Sequence, residues 1–217
     1  MAITLYGASL SPFVRKVCVA LAEKDLPFEQ VQIDPSRLPD DYYDLNPLGR
    51  IPALKDDAKA LADSAVIVAY LDRQYPQQPL SHADPYLQAK VQWFEKYADY
   101  ELAPLTTFGV FRQRVLMPLR KQPQDEAVVQ TSLEQLPSLL DYLEASLQDN
   151  DFMVGDRLTV ADIAIASQFV NFGHGREKID HQRWPQLTAY VERLHQRPSF
   201  AQLIAAETAL VNKLLGR

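Results

Sequence analysis

The spacing of apolar positions changes character near residue 76. Before it, short apolar runs alternate with helical periods. Residues 3–6 read as a short buried strand, and Phe13, Val17, Ala20 and Leu21 recur at helical spacing within residues 12–24. Residues 28–33 alternate as a strand does. Residues 40–45 fit a short helix, closed by the turn cluster Asn46-Pro47-Leu48-Gly49. Residues 53–55 and 60–62 then pair as two brief strands around Asp56-Asp57. Residues 64–75 are again helical, with Val66, Ile67, Tyr70 and Leu71 expected to face inward. The order βαβ, α, ββα predicts a small mixed α/β sheet with helices packed on it.

Pro76-Gln77-Gln78-Pro79 is a proline-bracketed connector, and from Asp84 onward the pattern is helical only. Asp84-Pro85 offers an N-cap residue followed by a proline in the first turn. The helix after it reaches Pro104 and continues, bent, to about Met117. Residues 126–147 keep a period near 3.6, with a kink expected at Pro137. Residues 159–172, 184–196 and 198–215 supply the remaining helices. The expected organisation is a mixed domain over 1–76, a linker over 77–84 and an all-helical domain over 85–217.

Composition narrows the function classes. A chain of 217 residues can bury two modest cores, and its net charge of −6 argues against a general binder of phosphate backbones. The longest apolar runs are too short to span a membrane, and Met-Ala-Ile-Thr-Leu-Tyr lacks the form of a secretory signal, so a cytoplasmic location is expected. The single cysteine, Cys18, has no internal disulfide partner and reads as a small core residue. His82, His174, His181 and His195 follow no metal-ligand spacing, so no metal is expected. Gly173-His174-Gly175 reads as a helix terminus.

Three short segments carry candidate chemistry. Ser11-Pro12-Phe13 follows the first strand directly, where a hydroxyl at a helix N-terminus can hold an anion, including a thiolate. By itself the pair is an ordinary N-cap with proline at the first helical position. In Arg50-Ile51-Pro52, a proline just before a strand is either a plain turn or a cis bond that leaves the Ile51 N–H and C=O facing a bound peptide. Asp63-Ser64 opens the next helix. Asp63 can meet an ammonium while Ser64 and the helix N–H groups meet a carboxylate, or both can simply cap. A fourth segment concerns folding: Thr159 and Asp162 form a short capping box, flanked by Leu158 and Ile163 at the hydrophobic-staple positions.

The order and spacing of these segments resemble the cytosolic glutathione transferase family over essentially the whole chain. The tail from Trp184-Pro185 to Arg197-Pro198-Ser199-Phe200 is similar as well. The resemblance implies a thioredoxin-like N-terminal domain that binds glutathione, followed by an all-helical C-terminal domain. It matches Ser11 to the activating serine of the serine-type, bacterial or plant-style classes, which favours attack by the thiolate over disulfide exchange. Ser9 and Tyr6 remain alternatives for the thiolate contact. Arg50, Ile51, Pro52 (cis), Asp63 and Ser64 are implied as glutathione-binding residues. Asp63 is one methylene shorter than the family's usual glutamate, and the acidic stretch Asp40-Asp41 points to modest affinity. Phe108, Phe111 and Val115 are the candidates for the electrophile pocket. The implied enzyme is a detoxifying homodimer that uses glutathione and a hydrophobic electrophile or a peroxide; isomerase and dehalogenase chemistry stay open. The alternative is a non-catalytic protein of the same fold that binds RNA polymerase, similar to the stringent starvation proteins.

Overall fold

A computed structural model describes residues 3–216. The chain separates into two compact units, residues 1–82 and 83–217. In the first unit, β1 (Ile3–Tyr6), α1 (Pro12–Glu23), β2 (Phe28–Val31), β3 (Ala53–Asp56), β4 (Lys59–Ala62) and α2 (Ser64–Gln74) follow in order, with a short 3-10 helix at Asp40–Asp44. The sheet runs β2-β1-β3-β4, with β1 parallel to β2 and antiparallel to β3. This is the thioredoxin-like arrangement that the resemblance implied. Ile3, Leu5, Ala53 and Leu54 from the sheet and Val14, Val17 and Leu21 from α1 fill the core, as do Ile67 and Leu71 from α2.

Two details differ from expectation. β2 ends at Val31, opposite Tyr6, because its partner β1 ends there; the Gln32 side chain meets the loop after β1. Val66 is 50% exposed, and Val68 takes the buried place beside Ile67. Apolar periodicity fixes the face of a helix only to within one residue, and a valine on its margin falls either way. Residues 77–81 cluster with the first unit because Lys24 and Asp72 hold them. The Lys24 Nζ donates to the Asp72 Oδ1 at 2.9 Å and to the Gln77 carbonyl at 3.1 Å, and the Leu80 N–H donates to the same Asp72 oxygen at 2.7 Å.

The second unit is helical: α3 (Pro85–Tyr97), α4 (Met117–Leu119), α5 (Glu126–Leu147), α6 (Val160–His174), α7 (Pro185–His195) and α8 (Pro198–Leu215). Between α3 and α4 the backbone stays helical but widens to i→i+5 hydrogen bonds over Ala98–Leu102 and Pro104–Leu116. Pro104 cannot donate to the carbonyl four residues earlier, and a wider turn accommodates that gap. Pro137 lies inside α5, whose helical assignment runs unbroken from Glu126 to Leu147. α6 is buried from Val160 to Phe172 on every side, as suits the central helix of its unit. Its start is the capping box of Thr159 and Asp162. The Asp162 carboxylate accepts from the N–H groups of Met153 and Thr159, both at 2.7 Å, from the Thr159 hydroxyl at 2.9 Å and from the Tyr190 hydroxyl at 2.8 Å. Among the described residues no helix is long and apolar enough to cross a membrane.

Candidate functional site

The register of the sheet gathers the three candidate segments at one edge. Tyr6 lies opposite Val31 on one side and Ala53 on the other, and Ala53 lies opposite Ala62. Val31, Tyr6, Ala53 and Ala62 therefore form the last row, and the chain just beyond it supplies Gly7–Ser11, Ile51-Pro52 and Asp63-Ser64. Neighbouring strands stand about 4.8 Å apart, so the ends of β1 and β4 are about 10 Å apart, close to the length of an extended tripeptide.

On the β1 side, the loop folds back through the Ser11 N–H, which donates to the Ala8 carbonyl at 3.0 Å. Gly7 is required there: a Cβ at this position would stand 2.4 Å from the Val14 Cγ2, so any side chain would push the loop off α1. Ser11 is the N-cap of α1, and its Oγ accepts from the Val14 N–H at 3.4 Å. A hydroxyl has one hydrogen and two lone pairs, so capping leaves the hydrogen available to donate. No acidic side chain stands in the first turn of α1 to neutralise the positive end of its dipole.

The alternatives to Ser11 have other partners. The Gln32 Nε2 donates to the Ser9 Oγ at 2.9 Å, while the Ser9 N–H donates to the Gln32 Oε1 at 3.3 Å. Tyr6 packs on the cluster of Ile33, Tyr42 and Ala53, with the Lys55 ammonium 5.8 Å from its ring centre.

In the middle of the row, the Ile51–Pro52 bond is cis. The loop before it is held by a contact that sequence reasoning missed. The Arg50 carbonyl accepts from the Tyr42 hydroxyl at 2.8 Å and from the Asn46 Nδ2 at 2.7 Å. In a trans peptide the C=O of residue 50 and the N–H of residue 51 point in opposite directions, so holding the Arg50 carbonyl inward aims the Ile51 N–H away from the clamp. Asn46 also accepts the Leu48 N–H at 3.0 Å, and Gly49 turns with φ +61°. Burial pushes the Tyr42 phenol up to about 12, which keeps it a neutral donor across physiological pH. An aromatic residue four positions before an Asn-Pro turn was the available signal. The Arg50 side chain itself is exposed, as are Asp40, Asp41 and Asp44 on the short helix that buries Tyr42.

At the β4 side, Asp63 is the N-cap of α2, and its Oδ1 accepts from the N–H groups of Ala65 at 2.9 Å and Val66 at 3.2 Å. Its φ of +76° with ψ +126° is a backbone conformation that a side chain rarely adopts. Such strain persists only where the surroundings impose it, and it concentrates at ligand clamps. Its Oδ2 makes no hydrogen bond among the described residues. Ser64, only 4% exposed, opens the first turn of α2. In the helical unit, Phe108 is 52% exposed, whereas Phe111 and Val115 are buried.

Comparison with known proteins identifies the family to which this fold belongs. The family models for the N-terminal and C-terminal domains of glutathione S-transferase match residues 5–79 and 110–198. Glutathione S-transferase 3 of Zea mays is 33% identical over 208 residues, covering 93% of each chain. Glutathione S-transferase GstB of Escherichia coli is 31% identical, covering 93% of this chain and 97% of its own. A glutathione S-transferase structure from Methylobacterium radiotolerans, in complex with glutathione sulfonate, has a TM-score of 0.77 at 29% identity and covers 94% and 95% of the two chains. With both domains matched in order and relatives of this similarity along nearly the whole length, the chain belongs to the glutathione S-transferase family.

Proposed function

We propose that the edge of the sheet holds reduced glutathione and that Ser11 activates its thiol. The register that brings Ser11, Ile51 and the start of α2 beyond one row of residues carries this reading. The tripeptide lies along that row. The Ile51 N–H and C=O pair with the cysteinyl unit as a neighbouring strand would. At the γ-glutamyl end, Ser64 and the N-terminus of α2 meet the carboxylate, and the Asp63 Oδ2 meets the ammonium. Arg50 reaches the glycyl carboxylate, and Pro52 shapes the turn.

The sulfur, carried by the central cysteinyl unit, reaches from Ile51 toward the Ser11 hydroxyl and the positive end of α1. The thiol proton leaves to solvent, and the Ser11 O–H donates to the thiolate. The thiolate then forms a bond to an electrophilic carbon of an apolar substrate, whose leaving group departs with the bonding pair. The same thiolate can attack a peroxide oxygen, a second glutathione completing that reduction. Serine cannot form a mixed disulfide, which separates this chemistry from disulfide exchange. The reading includes a cytoplasmic homodimer with a detoxifying role, as the family resemblance implies.

Calorimetric titration tests the reading with glutathione and with the dipeptide cysteinylglycine, which lacks the γ-glutamyl group. Glutathione is expected to bind once per chain and the dipeptide far more weakly. Absence of any heat from millimolar glutathione would sink the enzyme reading in favour of a protein-binding role.

A further inference from the structure

The five residues between β1 and α1 lead from the last row of the sheet to Ser11, and β2 holds them with side chains as well as backbone. The pairing runs one residue past Tyr6, where the Gly7 N–H donates to the Val31 carbonyl at 3.0 Å. Two glutamines flank that contact. The Gln30 Nε2 donates to the Gly7 carbonyl at 3.3 Å. The Gln32 amide grips Ser9 at two points: its Oε1 accepts from the Ser9 N–H at 3.3 Å, and its Nε2 donates to the Ser9 Oγ at 2.9 Å. With a donor and an acceptor side by side, that planar amide pairs with Ser9 much as a further residue of β2 would.

Ser9 and Leu10 are the central residues of the turn that ends at Ser11, closed by the Ser11 N–H on the Ala8 carbonyl at 3.0 Å. Gln32 therefore fastens that turn two residues before the hydroxyl that the turn delivers. Ser11 is tied to α1 by the bond from the Val14 N–H at 3.4 Å, which is long for an N–H donor. A capping contact of that length leaves the hydroxyl room to move, so the turn decides where it stands. A displacement well under an ångström weakens a hydrogen bond aimed at a reacting atom. Among the described residues, the hydrogen bonds of the Gln32 side chain go to Ser9, and none goes to Ile51, Asp63 or Ser64.

We infer that Gln32 is a positioning residue for thiol activation, which rests on Ser11 being the thiolate donor. By clasping Ser9 it fixes the turn that aims the Ser11 hydroxyl at the glutathione sulfur. The same clasp keeps the Ser9 hydroxyl, the nearest rival for the sulfur, on β2. Gln32 acts on activation of the thiol, whereas the Tyr42 and Asn46 clamp on the Arg50 carbonyl acts on binding. Gln32 is exposed, so the clasp is a local device on the surface of the sheet edge and carries little of the fold.

Gln32→Met keeps the length of the side chain and removes both bonds. The thiolate absorbance of bound glutathione is followed against pH in wild type, Gln32→Met, Ser11→Ala and the double variant. Gln32→Met should raise the bound thiol pKa by about half to one unit, a loss of roughly three- to tenfold in thiolate at a fixed pH below it. In the Ser11→Ala background the same substitution should change nothing, because the group it positions is gone. S-methylglutathione has no thiol to ionise, and calorimetry should find its Kd for Gln32→Met within about twofold of wild type. If Ser11→Ala raises the thiol pKa and Gln32→Met does not, the positioning role is overturned while the Ser11 reading stands. A rise that persists in full without Ser11 overturns it too, since Gln32 would then meet the sulfur itself. A loss of S-methylglutathione affinity as large as the loss of thiolate also overturns it, by making the clasp a binding element. If Ser11→Ala leaves the thiol pKa unchanged, the Ser11 reading fails and the role of Gln32 falls with it.

Discussion

Removing the clamp on the Arg50 carbonyl separates binding of glutathione from activation of its thiol. Two donors converge on that oxygen, the Tyr42 hydroxyl at 2.8 Å and the Asn46 amide at 2.7 Å. Either one alone contributes about 0.5–1.5 kcal/mol, and the carbonyl keeps a partner when only one is lost. Tyr42→Phe therefore changes glutathione binding by no more than about tenfold. Tyr42→Phe combined with Asn46→Ala leaves a partly buried carbonyl without either donor, at a cost of about 1–3 kcal/mol in loop order. A loop ordered only part of the time binds in proportion to its ordered fraction, so Kd rises, by up to about 30-fold for a loss near 2 kcal/mol. Ser11 stands at the end of a different strand, so the thiol pKa of bound glutathione and kcat at saturation stay as in wild type. Calorimetry measures the first effect, and steady-state kinetics with thiolate absorbance the second. A double variant that binds glutathione with the wild-type Kd, or whose bound thiol pKa has risen, refutes the reasoning.

The remaining predictions concern stability. Asp162→Ala strands the donors of Met153, Thr159 and Tyr190 in a site with no exposure, and should cost about 3–5 kcal/mol. Thermal or urea unfolding measures this, with the melting temperature expected to fall by about 6–20 °C; a loss under about 1 kcal/mol would contradict the assignment of the capping box as a folding element. Burial pushes the Asp72 carboxyl up, but the Leu80 N–H, the Ser81 hydroxyl and the Lys24 ammonium outweigh it and hold the carboxyl below its ordinary value of 3.8. Its contribution to stability is therefore full above that value and is lost as the pH falls through the lower, folded-state value. Asp72→Asn should flatten the acid limb of stability against pH, measured by urea unfolding at a series of pH values, and an unchanged acid limb would count against it.

Much of this molecule is legible along the chain because its signals are local. Ser11-Pro12 and Thr159 with Asp162 mark helix starts within a few residues, and β1, β3 and β4 lie where short apolar runs predicted them. The end of β2 was not legible, because it is set by where its partner β1 ends, more than twenty residues away in the chain. The clamp on Arg50 was missed for a related reason: Tyr42 and Asn46 read locally as a helix and a turn, and their common target appears only when the loop closes. The side chain of Arg50 drew attention as a charge, whereas its carbonyl is the group the fold secures. Conversely, the positive φ of Asp63 could not be read from residue type, since aspartate is an ordinary cap.

The most direct measurement of the central claim is the ultraviolet absorbance of the glutathione thiolate against pH, in complex with wild type and with Ser11→Ala. A hydrogen bond from the Ser11 hydroxyl to an anion contributes about 1.5–3 kcal/mol, equivalent to one to two pKa units. The wild-type complex should titrate well below free glutathione, and the Ser11→Ala complex about one to two units above wild type. Identical titration curves for the two complexes would contradict the assignment of Ser11 and move the thiolate contact to another group.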